Sequence, residues 1–98
     1  MYRIRQTPEF VAWLNGLKDP MTRGRLVRRL ERAAKGHLGD VKPVGEGVFE
    51  MRAFFGPGWR MYYTVREETL ILMLGGGDKS TQRRDIERAI TLARTLED

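Results

Sequence analysis

The 98-residue chain contains no cysteine and a single histidine, His37. Without thiols there are no disulfides, no thiolate nucleophile and no thiolate metal site. One imidazole cannot build a histidine-based metal centre, and no Ser-His-Asp or Cys-His set can be assembled around it. Long apolar runs are missing too. None approaches the roughly 18 residues needed to cross a bilayer, and Met1-Tyr2-Arg3 does not open a signal peptide. These absences predict a cytoplasmic protein with no membrane association, no cofactor and no metal. A nucleotide-binding P-loop is lacking as well, although Gly75-Gly76-Gly77-Asp78-Lys79-Ser80-Thr81 invites comparison with one. That motif needs glycine directly before the lysine and again five positions further back, where this chain has Asp78 and Met73.

What is present suffices for one folded domain over residues 1–98. Hydrophobic residues make up 41% of the chain, with two Trp, three Tyr and four Phe, enough for one core and too little for two. The charge is unevenly placed. Residues 1–49 hold ten Lys/Arg against five Asp/Glu, whereas residues 50–98 hold eight of each, so the whole net charge of +5 lies in the first half. It concentrates in Arg23, Arg25, Arg28, Arg29, Arg32 and Lys35, a cluster suited to a polyanionic partner or to a solvated helix face.

Along the chain, Tyr2–Gln6 alternates as a short strand does, with Tyr2 and Ile4 inward. Thr7-Pro8 and Asp19-Pro20 each place a capping residue before a proline at the first helical position. The first helix runs on through Phe10, Trp13, Leu14 and Leu17. The second carries Leu26, Val27, Leu30, Ala33 and Ala34 on one stripe and ends near Gly36. His37–Gly47 reads as a loop. Three strand-like runs follow in Val48–Phe55, Trp59–Arg66 and Thr69–Leu74. Gly56-Pro57-Gly58 joins the first two, with proline expected at the first central turn position. The third run is apolar throughout, as a strand covered on both faces would be. A last helix from about Ser80 carries Ile86, Ala89, Ile90 and Ala93 on one stripe. The order β-α-α-β-β-β-α predicts a small α+β fold: an antiparallel β-meander with an N-terminal helical hairpin and a C-terminal helix, the helices packed on one face. The three glycines after Leu74 read as the strand ending in an open turn.

Alternation puts Phe49, Met51, Phe55, Met61, Tyr63 and Val65 on one sheet face and Glu50, Arg52, Arg60, Tyr62 and Arg66 on the other. Guanidinium forks match phosphate oxygens, and a tyrosine among them can stack on a base or donate a proton. Cross-strand ion pairs would explain the same pattern. Lys79 falls near the end of this charged face.

Gly47-Val48-Phe49-Glu50-Met51-Arg52, then Phe55-Gly56-Pro57-Gly58-Trp59-Arg60-Met61-Tyr62-Tyr63, then Leu72–Gln82 with Asp85-Ile86, resemble the RelE/ParE superfamily of toxins. Within it they are similar to the phage-derived Gp49-like, HigB-like branch of addiction-module killer proteins. Thr7-Pro8-Glu9-Phe10 and Trp13-Leu14 extend the likeness over nearly the whole chain. The resemblance implies a RelE-like fold and a type II toxin paired with a cognate antitoxin, expected to be of helix-turn-helix type. It implies metal-independent cleavage of mRNA on the ribosome, or DNA gyrase inhibition as in the ParE branch. A non-catalytic nucleic-acid-binding module is the remaining alternative. Positions matching the family's active-site strands are Glu50, Arg52, Arg60, Tyr62 and Lys79. Arg52, Arg60 and Lys79 would stabilise phosphate charge. Glu50 would act as general base or position Arg52, and Tyr62 would stack or donate a proton. Arg23, Arg25, Arg28, Arg29 and Arg32 would bind RNA.

Overall fold

Both helix starts form where the capping signals lie. In a computed structural model, which describes residues 1–96, strand β1 (Arg3–Gln6) leads through Thr7 into helix α1 (Pro8–Asn15). The Thr7 hydroxyl accepts from the Phe10 N–H at 3.2 Å and donates to the Met73 carbonyl at 2.8 Å, so one side chain caps the helix and ties it to the sheet. Asp19 caps helix α2 (Pro20–Ala34) through the Met21 N–H, and Gly36, with φ at +97°, lies just beyond its end. Strands β2 (Val41–Gly45), β3 (Val48–Ala53), β4 (Trp59–Arg66) and β5 (Leu70–Gly77) follow. A 3₁₀ turn at Lys79–Thr81 then leads into helix α3 (Gln82–Thr95).

The five strands lie in the order β1-β5-β4-β3-β2. β1 runs parallel to β5 and every other neighbour is antiparallel. The α+β meander with its helical hairpin and C-terminal helix is thus the architecture found, with four corrections. The stretch from His37 to Gly47 is not wholly a loop, because Val41–Gly45 adds an edge strand to β3 with an irregularity between Pro43 and Gly45. Nor do the helices share one face. Met51, Met61, Tyr63, Ile71 and Met73 pack against Phe10, Leu14, Leu26 and Leu30 of α1 and α2, whereas Val48, Tyr62, Leu72 and Leu74 pack against Ala89 and Ala93 of α3. Apolar residues on both sides of β5 require both covers. Third, the Phe55–Gly58 turn closes with the Gly58 N–H on the Phe55 carbonyl. Gly56 (φ +58°) therefore takes the first central position, and Pro57 the second.

Fourth, the three glycines belong to β5 rather than to a turn. Tyr62 pairs with Gly75 and Tyr63 with Met73, so Leu74 is the extra residue of a bulge. A Cβ on Gly76 would stand 2.5 Å from the Trp13 ring on one side, and a Cβ on Gly77 would overlap the Asp85 carboxylate on the other. Close packing against two different helices demands these glycines.

Candidate active site and nucleic-acid interface

Cross-strand register assembles the site. Glu50 of β3 lies opposite Tyr62 of β4. Two residues on, Arg52 lies opposite Arg60, which is itself paired with Gly77 of β5. A period of two puts these side chains on the face that α3 covers. The cover is partial. Glu50 and Tyr62 are fully buried and Arg60 nearly so, Arg52 is half-buried, and Lys79 in the 3₁₀ turn is exposed.

The Glu50 Oε2 accepts from the Tyr62 hydroxyl at 3.1 Å and from the Gln82 side-chain amide at 2.8 Å. The Arg60 Nε stands 3.8 Å from the same oxygen, an ion-pair separation beyond hydrogen-bond length. Burial first, and then the adjoining Glu50 carboxylate, push the Tyr62 phenol well above the usual tyrosine range. Tyr62 therefore keeps its proton, and its burial leaves no ring face for base stacking. Arg60 Nε and Nη1 and Glu50 Oε1 are buried with no hydrogen-bond partner among the described residues. Such groups cost about 1–3 kcal/mol each, and more when charged. Two arginines directly opposite in a sheet also repel. One anion bound between the two arginines would give the Arg60 nitrogens an acceptor and offset the repulsion between the guanidinium groups.

Gly58 sets the approach to Arg60. Its φ of +83° requires glycine, and a Cβ there would meet Lys79 Cβ at 3.4 Å and Arg60 Nη1 at 3.7 Å. The GPG turn and the 3₁₀ turn thus flank Arg60 together. Asp78 fixes the second of these turns by accepting from the Ser80 N–H at 2.8 Å, and the Ser80 bonds hold its carboxyl below the ordinary aspartate range. Arg52 is held by the Asp40 carboxylate through Nε at 3.0 Å and Nη2 at 3.3 Å, so Asp40, and not Glu50, positions Arg52.

The five arginines of α2 separate into two groups. Arg23 donates to the Leu17 carbonyl. Arg29 donates to the Leu38, Asp40 and Arg52 carbonyls at 2.7–3.3 Å, tying α2 to β3 and the chain before β2. Burial, and next the charge of Arg32, lower the Arg29 pKa. These two guanidinium groups hold the fold together. Arg25, Arg28 and Arg32 are exposed, with the Arg25 guanidinium 3.8 Å above the Phe55 ring. His37 is exposed.

Sequence reasoning missed Gln82, Asp40 and Phe54. Gln82 lay within the Leu72–Gln82 stretch without a chemical signal of its own. Asp40 gave none, because its place beside Arg52 depends on the unanticipated β2. Alternation puts Phe54 on the face of Val48, Glu50 and Arg52, and an aromatic residue beside an arginine is the one signal it carries. Among the described residues no three His, Asp or Glu side chains gather closely enough to hold a metal ion. No helix among them is long and apolar enough to cross a membrane.

The chain resembles known proteins in sequence and in shape. It is 39% identical over 94 residues to a Haemophilus influenzae protein described as "Uncharacterized protein", covering 96% of this chain and 95% of that one. Its fold matches one chain in the crystal structure of the toxin-antitoxin complex RelBE2 from Mycobacterium tuberculosis. The TM-score is 0.66 and the identity 23%, over 80% of this chain and 98% of that chain. Residues 12–97 match the family described as "Phage derived protein Gp49-like (DUF891)". With nearly nine-tenths of its length inside that match, the chain belongs to the phage-derived Gp49-like family.

Proposed function

We propose that this protein is the toxin of a type II toxin–antitoxin pair and a metal-independent, ribosome-dependent mRNA endonuclease of the HigB-like kind. The observation that carries the reading is Arg60: a nearly buried guanidinium with two unpartnered nitrogens, opposite Arg52 and flanked by the Lys79 turn. Family membership and the toxin–antitoxin fold likeness support it. An antitoxin encoded beside the toxin would be its protein partner, and the exposed Arg25, Arg28 and Arg32 would face ribosomal or messenger RNA.

In this reaction the RNA 2′-oxygen attacks the adjacent phosphorus and gives up its proton to water. The bond to the 5′-oxygen breaks, and that oxygen takes up a proton from water. Cleavage leaves a cyclic phosphate and a 5′-hydroxyl, with no water consumed. Arg52, Arg60 and Lys79 stabilise the charge that grows on the phosphoryl oxygens. Arginine keeps its charge throughout and serves as an electrostatic partner rather than a proton shuttle. Glu50 acts as a positioning residue: with Gln82 and Tyr62 around its carboxylate, it orients Arg60 from within the fold.

Inducible expression in bacteria tests the assignment. Arg60→Ala should reduce mapped mRNA cleavage by about 100- to 1,000-fold, the usual loss for one transition-state donor. Arg60→Lys keeps the buried charge and should restore only part of the activity, because a point charge lacks the planar fork. Undiminished killing by both variants, with folding verified by circular dichroism, overturns the site. Supercoiling inhibition by purified protein with intact mRNA would move the target to DNA gyrase.

A further inference from the structure

A second cationic cleft, about 380 Å³ in volume, opens at the end of β3 where α2 and the chain before β2 meet it. Its lining includes four arginines, Arg25, Arg29, Arg32 and Arg52, against the one carboxylate of Asp40. That carboxylate is already engaged by Arg52, and Arg29 spends its donors on neutral backbone carbonyls, which leave its charge uncancelled. At the rim stands Phe54, 74% exposed, with the Arg52 guanidinium 5.4 Å from its ring centroid. Its neighbour Phe55 carries Arg25 in the same manner. An unpaired positive potential around a solvent-facing aromatic ring meets both requirements for holding single-stranded nucleic acid: a cationic track for the backbone and a stacking platform for a base. The volume suits one nucleotide. An acidic peptide would find the charge but would have no use for the exposed ring. Arg52 belongs to both places, since it lines this cleft and lies opposite Arg60 in the sheet.

We propose that this cleft is a nucleotide subsite. An unpaired nucleotide next to the phosphate at Arg52 and Arg60 stacks its base on Phe54 and sets its phosphate against Arg25 and Arg32. That the polymer is RNA rests on the function proposed above; the chemistry of the cleft stands on its residues.

The test is equilibrium binding of a short, labelled 2′-O-methyl single-stranded RNA, which lacks the attacking hydroxyl. Phe54→Ala should weaken binding about 5- to 150-fold, the range for one lost stack, and leave the salt dependence unchanged. Phe54→Trp should restore the affinity. Arg32→Ala should instead lower the log–log salt slope by about 0.7, as one lost phosphate contact does for single strands. Because Phe54 and Arg32 are exposed, melting temperatures should stay at the wild-type value. Wild-type affinity in Phe54→Ala overturns the subsite. So does a polyglutamate peptide that binds as tightly as the RNA and displaces it, which would make the cleft a protein-docking surface. Two further outcomes separate this inference from the proposed function. Binding that depends on Phe54 in a protein that cleaves no mRNA on ribosomes keeps the subsite and removes the endonuclease. Cleavage that depends on Arg60 but is indifferent to Phe54, in binding and in KM, does the reverse.

Discussion

The two faces of the sheet are covered by different amounts of helix and are built from different chemistry. On one side, α1 and α2 bury Phe10, Leu14, Leu26, Met51, Met61 and Met73. On the other, Ala89 and Ala93 of α3 pack on Val48, Leu72 and Leu74, and Glu50, Tyr62, Thr64 and most of Arg60 are buried on that side as well. A fully covered face can be apolar and need only pack. A face with one helix across it must satisfy polar groups at the helix boundary, and there Gln82, the first residue of α3, reaches Glu50. The uncovered end holds Arg52 and Lys79, with Arg60 just beneath them. Under the proposed function, the catalytic residues and the main apolar core are thereby divided between the two sides of one sheet.

The sharpest way to break this division is to injure each side separately. Phe10→Ala should lower the unfolding free energy by about 3–5 kcal/mol, read by urea titration, with cleavage per folded molecule unchanged. Lys79→Ala should do the opposite, moving stability by no more than about 0.5 kcal/mol while cutting single-turnover cleavage by at least about tenfold. If Phe10→Ala removes activity from molecules that remain folded, the two faces are coupled and the division fails.

A smaller effect sharpens the role of β5, the strand that serves both sides. Gly76→Ala drives a methyl into the Trp13 ring and should cost about 1–3 kcal/mol. Gly75→Ala enters open space, with nothing within 4 Å of the added Cβ, and should be neutral or stabilise by up to about 1 kcal/mol. Equal costs at the two positions would mean that backbone freedom, not close packing, selected these glycines.

The gentlest probe is alkaline pH. Tyr62 and Tyr63 are buried on opposite faces, and burial raises both phenols above 10.0. The unfolded chain then loses these protons first. Their contribution to stability is complete below pH 10 and is lost as the pH rises beyond it, at about 1.4 kcal/mol per pH unit for each tyrosine. Tyr62→Phe should remove about half of that slope in denaturant midpoints taken from pH 9 to 11. An unaltered slope would show that Tyr62 is not held protonated by its surroundings.

The local parts of the fold were legible because local physics makes them. Thr7-Pro8 and Asp19-Pro20 start helices by capping their own first turns, and the alternation from Val48 to Arg66 chooses strand faces by itself. The site was legible to the same depth. Glu50, Arg52, Arg60 and Tyr62 share a face because a strand has a period of two, whatever packs upon it. The reading missed contacts that span long stretches of chain. Val41–Gly45 carries a proline and a glycine, and becomes a strand because β3 offers a free edge. Arg29 looked like the other arginines of α2 until Leu38, Asp40 and Arg52 presented their carbonyls to it.

The sequence alone determined the order of elements, the capping residues, the basic character of α2 and the grouping of charged side chains on one face of β3 and β4. Tertiary structure decided how deeply each of those charges lies and which partner it meets. Glu50 was aligned with arginines by periodicity, but only α3 crossing the sheet closes it from water and leaves Arg60 short of hydrogen bonds. Burial and unsatisfied donors are properties of a packed surface, set by elements distant in sequence. Local pattern therefore names the residues of this site, and only the assembled fold separates those that position from those exposed to a ligand.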